Sequence, residues 1–101
     1  MTVVRLIDFV TVMVQNKRQD KFDINSPVMF SNEFILDFLE YHKKFVVYEQ
    51  VIKIFILNRK FRLSLTFITK YKIPFQIIYF INAIESNSYD IAFYLLKIYE
   101  E

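Results

Sequence analysis

The chain has 101 residues, 54% of them apolar and 19% aromatic, and carries a net charge of +2. At that length it is one domain at most or a piece of a larger one, and its apolar share exceeds the roughly 45–50% of an ordinary soluble domain, so part of the surplus is expected to face a stable partner. Cysteine and glycine are both absent, which excludes disulfides, thiolate nucleophiles, cysteine-based metal sites and Gly-rich nucleotide loops, and argues against a hairpin-rich β fold.

Mean hydropathy is +0.25. The bias toward Ile, Phe, Tyr, Lys and Asn is also what an A+T-rich genome imposes, so the aromatics are not read as a binding signature. The amino-terminus MTVVRLIDF carries Asp8 within its apolar stretch and has no small-residue cleavage site, which makes a signal peptide unexpected. The longest charge-free run, Ile73 to Ile84, is 12 residues, short of the roughly 20 needed to span a bilayer.

The spacing predicts a first helix over Thr2 to Gln15, with Val3, Leu6, Ile7, Val10, Met13 and Val14 on one face. Val4, Phe9 and Val12 widen the stripe, so this helix is expected to be buried on two sides. Residues 16–25 (NKRQDKFDIN) read as a polar linker. Ser26-Pro27 reads as the start of a second helix running to about Lys43, with Ser31 as an alternative cap. Phe34, Ile35, Phe38 and Leu39 would face inward, and Glu33, Asp37 and Glu40 outward.

The third helix is expected near Val47 to Asn58, with Tyr48, Val51, Ile52, Phe55 and Ile56 inside. Its β-branched run IKIFIL invites a strand, but Glu49, Gln50 and Lys53 do not alternate and no turn chemistry surrounds it. The fourth helix, Phe61 to Tyr71, would bury Leu65, Phe67 and Ile68. Pro74 breaks the chain and opens a fifth helix to Glu85, lined by Phe75, Ile78, Ile81 and Ile84. Ser86, Asn87 and Ser88 supply caps for the flanking helices, and the sixth helix runs from Tyr89 to the last residue.

The second half repeats. Shifted by 28 positions, Phe61 falls on Tyr89, Leu63 on Ile91, Ser64 on Ala92, Leu65 on Phe93, Phe67 on Leu95 and Ile56 on Ile84. Each copy is an apolar helix, a short polar corner (NRK, then SNS), an aromatic and a second apolar helix. Neither hairpin can bury its apolar faces alone, so each needs a neighbour. The expected fold is all-α: antiparallel hairpins stacked as a short α-solenoid of about six helices in a single helical-repeat domain or fragment, 1–101.

No constellation carries chemistry. His42 has no acidic or thiol partner pattern around it, and the helical hydroxyls lack a base or oxyanion hole. No catalytic, cofactor or metal site is therefore expected. Ser64 and Ala92 read as small positions where helices cross closely. From Lys43 to Lys72 the net charge is +7, against −5 elsewhere. Lys43, Lys44, Arg59, Lys60 and Arg62 form the candidate contact for an acidic partner or anionic lipid headgroups, or equally a solvated helix corner. The modest total charge argues against nucleic acid.

From about Phe34 onward the chain resembles the carboxy-terminal helical domain of the regulator of the Mon–Ccz complex. FILDFLEYHKKF, VYEQVIKIFILNRKF, LTFITKYKI and the FINAIES segment leading into IAFYLLKIYEE carry the resemblance. Clathrin heavy-chain and vacuolar-sorting repeats are similar. The resemblance implies an α-solenoid scaffold without catalytic residues, cytoplasmic and peripheral on late-endosomal or lysosomal membranes. It would work in an obligate complex with the exchange factor that loads GTP onto a late-endosomal Rab, in endosome maturation and autophagy. The alternative is a small helical-bundle effector of viral or parasite origin, with ankyrin-like or apoptosis-regulator-like helices.

Overall fold

The computed structural model describes residues 1–15 and 30–100. Among these the chain is all-helical: six α-helices, α1 (Val3–Gln15), α2 (Asn32–Tyr41), α3 (Tyr48–Leu57), α4 (Phe61–Tyr71), α5 (Ile77–Glu85) and α6 (Tyr89–Glu100), with a 3₁₀ turn at Lys43–Phe45. They fall into two compact units, Met1–Val46 and Val47–Glu101. The polar linker at 16–25 and the Ser26-Pro27 helix start lie outside the described residues.

In the first unit Thr2 caps α1 rather than joining it, its Oγ1 accepting the Arg5 N–H at 3.1 Å. Leu6, Val10, Met13 and Val14 are buried, but Val4 is 69% exposed and Val12 61%. The expectation of burial on two sides is therefore corrected. Residues at i, i+3/i+4 and i+7 already fill the stripe that its neighbours cover, and the added apolar residues lie outside that stripe.

Ser31 is the cap of α2, accepting the Phe34 N–H at 3.0 Å. Ile35 and Leu39 are buried, whereas Phe34 is exposed and stacks on Phe30 with ring centroids 5.3 Å apart. Phe38 is half-buried, edge-on to Phe9 at 6.0 Å. The helix ends at Tyr41, short of Lys43, because His42 leaves helical geometry at φ −107°, ψ 29° and the chain tightens into the 3₁₀ turn.

In the second unit α3 pairs with α4 and α5 with α6, and the two hairpins stack with α5 on α3 and α6 on α4. Val51, Ile52, Phe55 and Ile56 of α3 are fully buried, as a helical period requires of the run that resembled a strand. Phe67 of α4 packs edge-on against Phe55 at 5.4 Å, and Tyr48 lies 5.7 Å from Phe67. Leu63 and Ser64 join Phe67 and Ile68 inside, and Leu65 is only half-buried.

Helix α5 differs from expectation in start and in phase. It begins three residues after Pro74, because Gln76 is extended (φ −134°, ψ 140°) and its side chain donates to Glu49 Oε2 at 2.7 Å. Its buried side is Tyr79, Asn82 and Ala83, while Ile78, Ile81 and Ile84 are exposed. Nearly every position of IIYFINAIE is apolar, so periodicity alone does not choose a face. Ala83 has no side chain beyond Cβ, and placing it inward lets α5 approach its neighbours closely.

Candidate interaction surface

Both hairpins of the second unit turn through one corner geometry. After α3, Asn58 sits at φ −99°, ψ 11° and Arg59 is left-handed at φ 57°. The Lys60 N–H then donates to Phe55 O at 2.9 Å and the Arg59 N–H to Ile56 O at 3.0 Å. The counterparts follow 28 residues on. Ser86 sits at φ −94°, ψ 6° and Asn87 is left-handed at φ 62°. The Ser88 N–H donates to Ala83 O at 2.8 Å and the Asn87 N–H to Ile84 O at 3.1 Å. This paired closure satisfies the last helical carbonyls and requires one left-handed residue. Glycine usually serves there; a chain without it uses Arg59 and Asn87.

The corner of the second hairpin also fastens it to the first. The hydroxyls of Ser86 and Ser88 each lie 3.1 Å from Ile56 O, and 2.9 Å from one another. At the other end of the same helices Gln76 bonds Glu49, so α5 runs alongside α3 in the same direction. On the second pair Tyr94 sets its ring edge-on to Phe61 at 6.4 Å, with its hydroxyl 3.4 Å from Thr69. Ser86 is the cap of α5 as expected, its hydroxyl also 2.9 Å from Asn82 O, and both serines serve in addition as bridges between hairpins. Sequence gives no signal that separates the two roles, since a seryl hydroxyl suits either.

Comparing equivalent positions locates an uncovered face. Ile56 is 0% exposed, and its counterpart Ile84 is 42% exposed. Ile68 is 7% exposed, and its counterpart Leu96 is 40%. Leu65 is half-buried while Phe93 is 73% exposed. The first hairpin's residues at these positions lie on the helices that the second hairpin covers; the second hairpin keeps them apolar with nothing over them among the described residues. Lys97 and Glu100 flank Phe93 and Leu96 along a shallow groove. Uncovered apolar faces of this kind mark protein or membrane interaction sites and ligand grooves.

The basic residues fall in both units. Lys43 and Lys44 are in the 3₁₀ turn of the first, where Lys43 pairs with Glu40 at 3.6 Å and Lys44 lies over the Phe45 ring at 5.9 Å. Arg59, Lys60 and Arg62 gather at the first corner of the second unit, with Arg59 and Arg62 exposed and Lys60 half-buried. Ser64 and Ala92 are both buried, on helices that pack together. His42 lies tilted against Phe38 and edge-on to Tyr41, each 4.8 Å away between ring centroids.

Two features had no sequence signal. Tyr79 is buried with its hydroxyl unpartnered among the described residues, and burial, with the Glu49 carboxylate as a smaller cause, pushes its pKa above 10.0. In the first unit Phe9, Val12, Met13, Phe30, Phe34 and Phe38 line an apolar groove of about 240 Å³. Among the described residues no three of His, Asp and Glu converge as a metal site would require, and no helix is long and apolar enough to cross a membrane. Compared with known protein families, curated proteins and solved structures, the chain matches none.

Proposed function

We propose that the chain is a non-enzymatic helical-repeat scaffold that binds a protein partner through the outer face of its last hairpin. The observation that carries this reading is the change at equivalent positions: residues covered in the first hairpin stay apolar but uncovered in the second. A face kept apolar against water is destabilising for solubility, and a partner that removes it from water offsets that cost.

The finer reading, a subunit of a late-endosomal Rab exchange-factor complex that serves endosome–lysosome trafficking and autophagy, rests on the YEQVIK helix and the segments around it. The experiment is affinity capture from the native source with the intact chain and with a Phe93→Asp variant. Phe93 is largely exposed, so the variant keeps the fold. Capture of a defined protein by the first and its loss with the second is the expected result. Equal capture by both chains, or none by either, removes the interaction role from this face. A captured set without a Rab exchange factor removes the trafficking reading alone.

A further inference from the structure

The repeat also says what kind of object fits the uncovered face. Each feature that receives the second hairpin on the first is present again on the second, 28 residues later. Ile56 and Ile68, buried under the stack, become Ile84 and Leu96. Phe61, which carries the edge of Tyr94, becomes Tyr89, which is exposed. The strongest correspondence is polar. Ile56 O accepts the Arg59 N–H and still has both seryl hydroxyls of the next hairpin within 3.1 Å. Ile84 O accepts the Asn87 N–H in the same closure, and among the described residues no hydroxyl reaches it. Ile84 O stands in the same backbone setting as Ile56 O, each reached also by the N–H of its helix's C-cap residue, Ser86 or Asn58, so a hydroxyl that fits over Ile56 O fits over Ile84 O.

We infer that the outer face of α5 and α6 receives a third helical hairpin in the register of the first two, supplied by a partner, with a hydroxyl-bearing corner over Ile84 O and an aromatic against Tyr89. This deepens the interaction reading and rests on it for the partner's existence, but not for the shape of what docks. A second copy of this chain stacked head-to-tail does not meet the requirement. Its first hairpin presents Asn58 and Lys60 where Ser86 and Ser88 stand, and Asn58 Nδ2 is already bonded to its own helix at Ile54 O, 2.8 Å away. The match is to a hairpin built like α5–α6, which no described residue of this chain supplies.

The test supplies such a hairpin. The full chain is extended by a duplicate of residues 74–101, which places a third copy of the SNS corner in register 28 residues on, and amide hydrogen exchange is followed by mass spectrometry. If the face receives a hairpin, exchange across α5 and α6 slows by about tenfold or more relative to the unextended chain, since an added repeat stabilises its neighbour. The added residues are themselves protected, and Ile84→Asp in the extended chain abolishes both effects. Unchanged exchange in α5 and α6, with the added residues exchanging as an unstructured peptide, overturns the proposal. So does an unextended chain that sediments as a dimer and becomes monomeric on Phe93→Asp, because the face then belongs to a second copy. The extended chain should also lose the Phe93-dependent partner, and retained capture places that partner elsewhere and overturns the assignment. Protection by the added hairpin with no partner captured by any chain supports the hairpin receptor while rejecting the interaction role.

Discussion

The hairpin α3–α4 and the hairpin α5–α6 share corner geometry, helix boundaries to within one residue and an inner row, yet differ in what lies against their outer side. Leu63 and Ile91, Ser64 and Ala92, and Phe67 and Leu95 are buried in both copies. Ile56 and Ile68 are buried only because a second hairpin lies over them, and Ile84 and Leu96 show the same surface without its cover. One half therefore displays the interior of the array, and the other displays its receiving face. The difference separates residues that hold a hairpin together from residues that hold hairpins to each other.

The largest effect tests that separation directly. Ile56→Ala empties a fully buried site and is expected to cost about 2–5 kcal/mol. Ile84→Ala, its exposed counterpart, should cost less than about 1 kcal/mol. Denaturant unfolding of the two variants at constant m checks the pair. Equal costs would mean that the two positions are not equivalent and that the face over Ile84 is covered.

Next in size is the inner row, where the hairpins should behave alike. Ser64→Leu and Ala92→Leu each insert a large side chain between packed helices and should cost about 1–3 kcal/mol by overpacking. Ser64→Ala should be neutral or slightly stabilising, because Ser64 Oγ has no hydrogen-bond partner among the described residues. Thermal unfolding of the three variants reads both directions. Destabilisation of Ser64→Ala by as much as Ser64→Leu would show that the hydroxyl is bonded.

The bridge from the corner to Ile56 O comes third. Ser88→Ala removes one of two hydroxyls and should cost about 0.5–1.5 kcal/mol, with Ser86→Ala similar. The double variant should cost less or more than the sum, since the hydroxyls lie 2.9 Å apart and share one acceptor. Strict additivity in a double-mutant cycle would break the reading of the two serines as one unit.

Much of this was legible in the sequence. Six helices and the 28-residue repeat followed from apolar spacing, from Pro74 and from the absence of glycine, and α4 begins and ends where Phe61 and Tyr71 placed it. The corner too was visible as NRK and SNS. The inward face of α5 was not, because an apolar residue stands at nearly every position and the choice was made by Ala83 against its neighbours, which only the assembled unit reveals. Likewise Val4 and Val12 carry the same chemistry as Val10 and Val14, and only packing distinguishes them. The uncovered face was implied by the apolar surplus but not located. Locating it required two equivalent hairpins with different surroundings. Of the expected site residues, Arg59, Lys60 and Arg62 were legible as one corner because they are adjacent in sequence; Lys43 and Lys44 belong to the other unit.

The smallest effect concerns an inner position where the second copy adds a hydroxyl, Val51 and Tyr79. Both are buried, but Tyr79 brings a hydroxyl with no partner among the described residues. Tyr79→Phe should therefore change stability near neutral pH by no more than about 1 kcal/mol, in the stabilising direction, because an unsatisfied buried donor is removed. The pH dependence is the sharper measurement. Burial, then Glu49, raises the folded-state pKa above 10.0, so the folded chain holds the proton where the unfolded chain releases it. The stability linked to this proton is fully present below the unfolded value and is lost as pH rises from about 10 toward the folded value. Between about pH 9 and about pH 11 the unfolding free energy of the native chain should fall more steeply than that of Tyr79→Phe. Urea unfolding of both chains across that window decides it. Parallel slopes would show that Tyr79 ionises as readily in the fold as in the unfolded chain, and that its hydroxyl reaches water or a partner after all.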